Sequence, residues 1–212
     1  MRKRLEVACI GDSLTAGISG YFNSLKTNSY QYWLHKYLAT ESKLWKENRT
    51  FYQNYGVPGA VISQIQTQTE LLENPDWAII MGGTNDFWMF SHPEDQEQNR
   101  ECIEHVISTL EKIILEVKER VRNTVLCSVP PVKVGTAASQ SMHENILKSN
   151  QEIKAIAQRQ NGVIFCDIHG KMSGRGGQMN PELCQTDGVH FSLKGNKSCG
   201  EEIAKSILSK LQ

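Results

Sequence analysis

Residues 9 to 17 read Cys9-Ile10-Gly11-Asp12-Ser13-Leu14-Thr15-Ala16-Gly17, an apolar run (Leu5 to Ile10) that breaks into a glycine, an acid and a serine. Three readings of the break compete. Gly, Asp and Ser are favoured in strand-to-helix turns for backbone reasons alone. Glycines ahead of a helix N-terminus also make an anion site, so a phosphate cradle is the second reading. In the third, Ser13 is a nucleophile lifted to the lip of a sheet. The residues at the ends of the other apolar runs decide among them.

The 212 residues suit one α/β domain spanning 1–212. Charge balances at 23 basic and 23 acidic side chains, which gives no pull toward nucleic acid or an anionic membrane. No apolar run approaches the roughly 18 residues that span a bilayer. The basic N-terminus precedes only a short apolar stretch, broken by Glu6 and without a small-residue cleavage site, so a secretory leader is not expected. The six cysteines form no Cys-x-x-Cys pair and lack the histidine spacing of a zinc site. Cys9, Cys127 and Cys166 fall in apolar runs, where a free thiol acts as a small hydrophobe. The expectation is a cytoplasmic protein in a reducing compartment, with neither disulfides nor a bound metal.

Five apolar runs recur: Leu5–Ile10, Phe51–Tyr55, Trp77–Met81, Thr124–Val129 and Val163–Cys166. Trp77–Met81 is continuous, as a strand covered on both faces should be. Between the runs lie helical patterns. The clearest places Ile103, Val106, Ile107, Leu110, Ile113, Ile114, Val117 and Val121 on one stripe, with start signals at Ser91 to Glu94 or a few residues later. Ser141 and Glu144 have capping-box spacing ahead of Ile146, Ile153 and Ile156. Ser192 is a candidate cap for the last helix, while Tyr30–Leu38 and Ala60–Leu72 carry weaker helical patterns. Strands alternating with helices predict a parallel sheet between two helical layers, joined by right-handed crossovers.

In such a sheet ligands bind beyond the carboxyl ends of the strands. The first run is followed by Gly11-Asp12-Ser13, and the second by Asn54-Tyr55-Gly56-Val57-Pro58-Gly59. The third is followed by Gly82-Gly83-Thr84-Asn85-Asp86, and beyond the fifth comes Asp187-Gly188-Val189-His190. Each group has a task in acyl transfer. A serine hydroxyl needs a base to take its proton as it attacks. His190 is the natural base, since imidazole titrates near neutrality, and Asp187 is close enough in sequence to orient it. The oxyanion donors expected are the backbone N–H groups of Ser13 and Gly59 and the side-chain amide of Asn85. Gly56 competes with Gly59 for that role, and spacing from Asn54 favours Gly59.

These four blocks resemble those of the SGNH (GDSL-type) hydrolase superfamily. Gly11-Asp12-Ser13-Leu14 is similar to its nucleophile block, Gly59 to its oxyanion glycine, Gly83-Thr84-Asn85-Asp86 to its G-x-N-D block, and Asp187-Gly188-Val189-His190 to its D-x-x-H block. They run in family order along nearly the whole chain. One departure is Phe191, where many members carry proline. The resemblance implies a flavodoxin-like three-layer α/β/α sandwich with a five-stranded parallel sheet of order 2-1-3-4-5. It also implies catalysis with no metal or organic cofactor.

The expectation is a serine esterase that hydrolyses carboxylic esters of short acyl groups through an acyl-Ser13 intermediate, with a small-molecule ester as its partner. An acyltransferase, a thioesterase or a lysophospholipase is compatible with the same blocks. A phosphate-binding flavodoxin-like module would leave Asn85, Asp187 and His190 without a role. Asp167 and His169 form a rival acid–histidine pair after the fifth run. Asp12 reads as a turn residue and Asp86 as a cap on its own segment. Phe87-Trp88-Met89-Phe90 either lines an acyl pocket, with Phe87 and Trp88 as substrate contacts, or packs beneath the next helix. Tyr21 and Phe22 invite the same reading.

Overall fold

The computed structural model describes residues 4–17 and 28–211. Tyr21 and Phe22 lie outside them. Five strands alternate with helices in chain order. β1 (Arg4–Gly11) leads into a one-turn helix, α1 (Ser13–Ala16). α2 (Tyr30–Glu41) and α3 (Lys43–Glu47) precede β2 (Arg49–Asn54), and α4 (Ile62–Gln68) precedes β3 (Trp77–Met81). α5 (Thr84–Phe90) and α6 (Gln96–Lys118) lead to β4 (Asn123–Cys127). α7 (Ala137–Arg159), β5 (Val163–Cys166), α8 (Ile168–Met172) and α9 (Leu193–Leu211) complete the order. All four strand pairings are parallel and the sheet order is β2-β1-β3-β4-β5. This is the order the motifs imply.

The period-two geometry of a strand explains the two cores. Ala8 and Ile10 of β1, Ala78 and Ile80 of β3 and Leu126 of β4 face one side, against α4, α6 and α7. Val7, Cys9, Trp77, Ile79, Val125 and Cys127 face the other, against α2, α8 and α9. The predicted stripe on α6 is the face that enters the first core: Val106, Leu110, Ile113, Ile114 and Val117 are buried there. All six cysteines are unpaired. Among the described residues, no helix is long and apolar enough to cross a membrane.

Two local expectations are corrected. α7 does not start at Ser141. Its N-cap is Thr136, whose Oγ1 accepts from Ser139 N (3.2 Å) while Ser139 Oγ accepts from Thr136 N (2.9 Å). The same box chemistry is available one turn earlier, and Ala137 is a strong helix former that lets the helix begin there. Ser141 lies inside the helix and donates to the His92 carbonyl (3.0 Å). Second, the aromatic stretch after β3 neither lines a pocket nor packs inward as a unit, because it forms α5 itself. α5 has a narrow buried face, so Phe87 is fully buried in the first core while Trp88, Met89 and Phe90 are left exposed.

Two carboxyls are carried into this interior at the carboxyl edge of the sheet. Asp12, fully buried, accepts from Leu14 N (2.9 Å), and Asp86, also buried, accepts from Ile62 N (2.9 Å). Burial pushes each up to about 6, against an ordinary value of 3.8. A carboxyl that holds its proton more tightly when folded stabilises the fold while protonated. That contribution is complete below about pH 4 and is lost as pH rises through about 6. Thermal unfolding followed across this window should show stability falling with rising pH, by about 3 kcal/mol for Asp12 alone. Asp12→Asn, which keeps an acceptor for Leu14 N and cannot ionise, should flatten the slope. A slope unchanged in Asp12→Asn would count against buried Asp12 as its source.

Candidate active site

β1 ends at Gly11 and the chain turns at once into α1, with Asp12 as N-cap and Ser13 as the first helical residue. Leu14, Thr15 and Ala16 point inward and are buried, which leaves Ser13 half-exposed at the sheet edge. The loop ahead of α9 brings His190 to it. His190 Nε2 is 2.9 Å from Ser13 Oγ, across 177 residues of chain. His190 Nδ1 is 2.8 Å from Asp187 Oδ2. The other oxygen of Asp187 accepts the backbone N–H groups of Val189 (2.9 Å) and His190 (3.0 Å), so one carboxylate both shapes the loop and seats the ring. The loop is closed by Gln185 N donating to His190 O (2.7 Å) and is tied to the preceding layer by Lys133 N donating to Gly188 O (2.9 Å).

Electrostatics follow from these partners. Burial raises the Asp187 carboxyl, but the hydrogen bonds from Val189 N, the His190 ring and His190 N outweigh it and hold the group below the usual carboxylate range. Ionised Asp187 is acceptor-only, so it accepts a hydrogen bond from His190 Nδ1–H, which keeps the proton on Nδ1 and leaves Nε2 as an acceptor for the Ser13 hydroxyl.

The second and third blocks meet on the other side of Ser13. Asn54 Oδ1 accepts from Gly56 N (3.0 Å), so that N–H is occupied. A Cβ on Gly56 would stand 2.2 Å from Ala16 N, so glycine is what lets this loop lie against α1. Gly59 is different. It is exposed, its φ is +79°, and nothing lies within 4 Å of the place a Cβ would take. The next residues are gripped from β3's side. Asn85 Nδ2 donates to Ala60 O (2.9 Å) and Asp86 Oδ2 accepts from Ile62 N (2.9 Å). Asp86 stands in the first turn of its own helix, as the sequence suggested, and its carboxylate also reaches across the fold to the first N–H of α4. The primary amide of Asn85 has two hydrogens, and anchoring one at Ala60 O leaves the second for another acceptor.

Two concavities meet at Ser13 and His190. One, of about 260 Å³, is walled by Thr84, Asn85, Trp88 and Val189. The other, of about 290 Å³, is walled by Leu14, Pro58, Gln185 and Asn196. Trp88 is thus at the site. Phe87 is not: helix geometry turns it into the core, which corrects its expected place as a substrate contact. The rival pair is directed elsewhere. Asp167 caps α8 by accepting from Gly170 N (2.8 Å), and His169 Nδ1 lies 3.2 Å from Ser173 Oγ with its ring stacked on His143. Among the described residues, no three His, Cys, Asp or Glu side chains converge as metal ligands. The sequence blocks contained Pro58, Thr84 and Val189 without marking them as cleft walls, and Gln185, two residues ahead of the last block, was missed, adjacency being its sole signal. Sequence reasoning also missed Gln31 and Gln68, polar groups on otherwise apolar helix faces whose amides bond the backbone of residues 11 to 15.

Comparison with known proteins agrees with this layout. The model of the GDSL-like lipase/acylhydrolase family matches residues 9–197. An acetylxylan esterase of Geobacillus stearothermophilus is 23% identical over 157 residues, covering 73% of this chain and 70% of that protein. The crystal structure of an acetylxylan esterase, Axe2, from Geobacillus stearothermophilus superposes with a TM-score of 0.73 at 21% identity, covering 98% of this chain and 94% of that one. A lipase/acylhydrolase from Enterococcus faecalis gives a TM-score of 0.70 at 24% identity, covering 99% and 97%. At these identities the superpositions speak for the fold. The match over residues 9–197 takes in all four polar blocks, and by it the chain belongs to the GDSL-like lipase/acylhydrolase family of carboxylic ester hydrolases.

Proposed function

We propose that the chain hydrolyses carboxylic esters of short acyl groups in two steps through an acyl-Ser13 intermediate. The observation that carries this is the continuous line from Ser13 Oγ to His190 Nε2 (2.9 Å) and from His190 Nδ1 to Asp187 Oδ2 (2.8 Å). Ser13 Oγ attacks the ester carbonyl as its proton passes to His190 Nε2, and Asp187 stabilises the imidazolium that forms. The oxyanion is received by the N–H of Ser13, an orphan donor of the first turn of α1, by the N–H of Gly59 and by the free hydrogen of Asn85 Nδ2. Gly56 is the weaker candidate because its N–H is already spent on Asn54. Collapse of the tetrahedral species breaks the bond to the alcohol oxygen, which leaves with the proton from His190. Water then repeats the sequence with His190 as base and frees the acid and Ser13.

Short acyl groups are supported by the modest cleft beside Asn85 and Trp88 and by the likeness to an enzyme named for removing acetyl from xylan. An acetyl ester of a sugar or small alcohol is therefore the proposed substrate class. The proposal treats residues 1–212 as one catalytic domain and places it in a reducing cytoplasm, for which six unbridged thiols are the support.

Three measurements test it. Wild type should turn over p-nitrophenyl acetate and lose kcat/KM as the acyl chain is lengthened to palmitate, whereas preference for long chains would overturn the short-acyl reading. Ser13→Ala should abolish both turnover and labelling by a fluorophosphonate probe, and retained labelling would move the nucleophile elsewhere. Asn85→Ala should lower kcat by about a hundredfold, about 3 kcal/mol of transition-state stabilisation, with a smaller change in KM.

A further inference from the structure

β2 pairs with β1 only as far as Cys9 opposite Asn54. Beyond that, Tyr55 N donates to Cys9 O (2.8 Å) and Val57 N to Gly11 O (3.0 Å), and the chain then leaves the sheet toward Gly59. Val57 N thus keeps the carbonyl half of the rung at Gly11, but the buried Gly11 N–H still requires an acceptor. Gln68 supplies it. From the C-terminal end of α4, its Oε1 accepts from Gly11 N (3.0 Å) and its Nε2 donates to Gly11 O (3.1 Å). A primary amide presents the same donor and acceptor as a peptide group, so this buried side chain replaces the missing strand acceptor at Gly11 N and adds a second donor beside Val57 N at Gly11 O, two residues before Ser13.

The opposite end of α4 is the oxyanion side. Asn85 holds Ala60 O and Asp86 holds Ile62 N, directly after Gly59. A seven-residue helix is about 10 Å long and rigid on this scale. Thr69, just past α4, donates to Glu116 of α6 (2.8 Å) and seats the helix from outside. α4 is thus a strut with Gly11 clamped at one end and the Gly59 loop at the other. Gln31 Nε2, donating to Thr15 O (2.7 Å), satisfies a last carbonyl of α1 from α2, while Asn54, donating to Ala16 O (3.3 Å) and accepting from Gly56 N (3.0 Å), ties α1 to the near end of the Gly59 loop; the far end of that loop is held through α4.

We propose that Gln68 is a positioning residue: its amide, clamped on Gly11 while α4 carries the far end of the Gly59 loop, fixes from the α4 side the distance between the Ser13 nucleophile and the oxyanion donors, as Asn54 does from the β2 side. The proposal rests on the catalytic reading of Ser13, Gly59 and Asn85. The fold itself provides the control. Asn150 of α7 makes the same two-point contact with Val129 beyond β4, accepting from its N–H (2.8 Å) and donating to its carbonyl (2.9 Å), at no cleft residue.

The test compares Gln68→Met and Asn150→Leu, near-isosteric losses of the two clamps, in the full chain. Gln68→Met should lower kcat on p-nitrophenyl acetate by about tenfold or more, with KM within about twofold and fluorophosphonate labelling slowed in parallel. Asn150→Leu should lose comparable thermal stability while keeping kcat within about twofold. Wild-type kcat in Gln68→Met, or an equal loss in Asn150→Leu, would overturn the proposal. Should Gln68→Met not fold, Gln68→Asn, too short to span both Gly11 groups, carries the same expectation. Failure of both to fold would assign Gln68 to folding alone and overturn its positioning role. A wild-type chain with neither turnover nor labelling would instead bring down the catalytic reading itself, and this spacing role with it.

Discussion

β1 is hydrogen-bonded along both edges, to β2 from Arg4 to Cys9 and to β3 from Val7 to Gly11, and Val7 to Ile10 are sealed from water on both faces. A strand held in this way cannot slip by one residue without exchanging its two core faces, so its end is fixed to the residue. Ser13 comes two residues later and inherits that precision. The end of β3 inherits it too, and the neighbouring strands lie about 4.8 Å apart, which is why the Asn85 block arrives beside the Ser13 turn. A different strand order would have left both motifs intact and separated them.

The acid and imidazole are held in another way. Asp187 and His190 belong to a loop outside the sheet, and each side chain is 44% exposed. Burial does not immobilise them. The loop is ordered by its own polar bonds, with both Asp187 oxygens engaged and Gly188 and His190 accepting from Lys133 and Gln185. Keeping this pair near water has an electrostatic advantage. The carboxylate is desolvated less than Asp12 and Asp86, so its hydrogen bonds outweigh burial and keep it ionised, whereas burial lifts each of the other two to about 6. Carboxyls so close in space thus have separate tasks, one facing the imidazole and two holding backbone amides in the interior.

The fold was legible because its main signal is local. Apolar runs of four to six residues and the three- and four-residue steps of α6 are properties of neighbouring residues, and the strands formed within a residue or two of their expected bounds. Helix starts were less legible. Thr136 and Ser141 offer the same capping chemistry, and the choice between them was made by where the chain could leave β4 and lie on α6, so the earlier residue took the role. The Phe87 expectation failed for a similar reason. A run of four bulky residues says that something must be buried, but helix phase and the position of Val106 and Val129 decide which one.

From residue order alone came the parallel α/β class, the two-sided strands and the four polar blocks at their ends, because hydrophobic periodicity and turn chemistry are written in adjacent residues. Tertiary structure alone decided which polar groups meet. His190 and not His169 reaches Ser13, Asp86 reaches across to the first N–H of α4, and Gln68 supplies the strand acceptor that Gly11 N lacks. The physical reason is range. A hydrogen bond acts only within about 3 Å and is indifferent to separation along the chain. Pairings across 57 and 177 residues therefore come into being only once packing has brought the partners together.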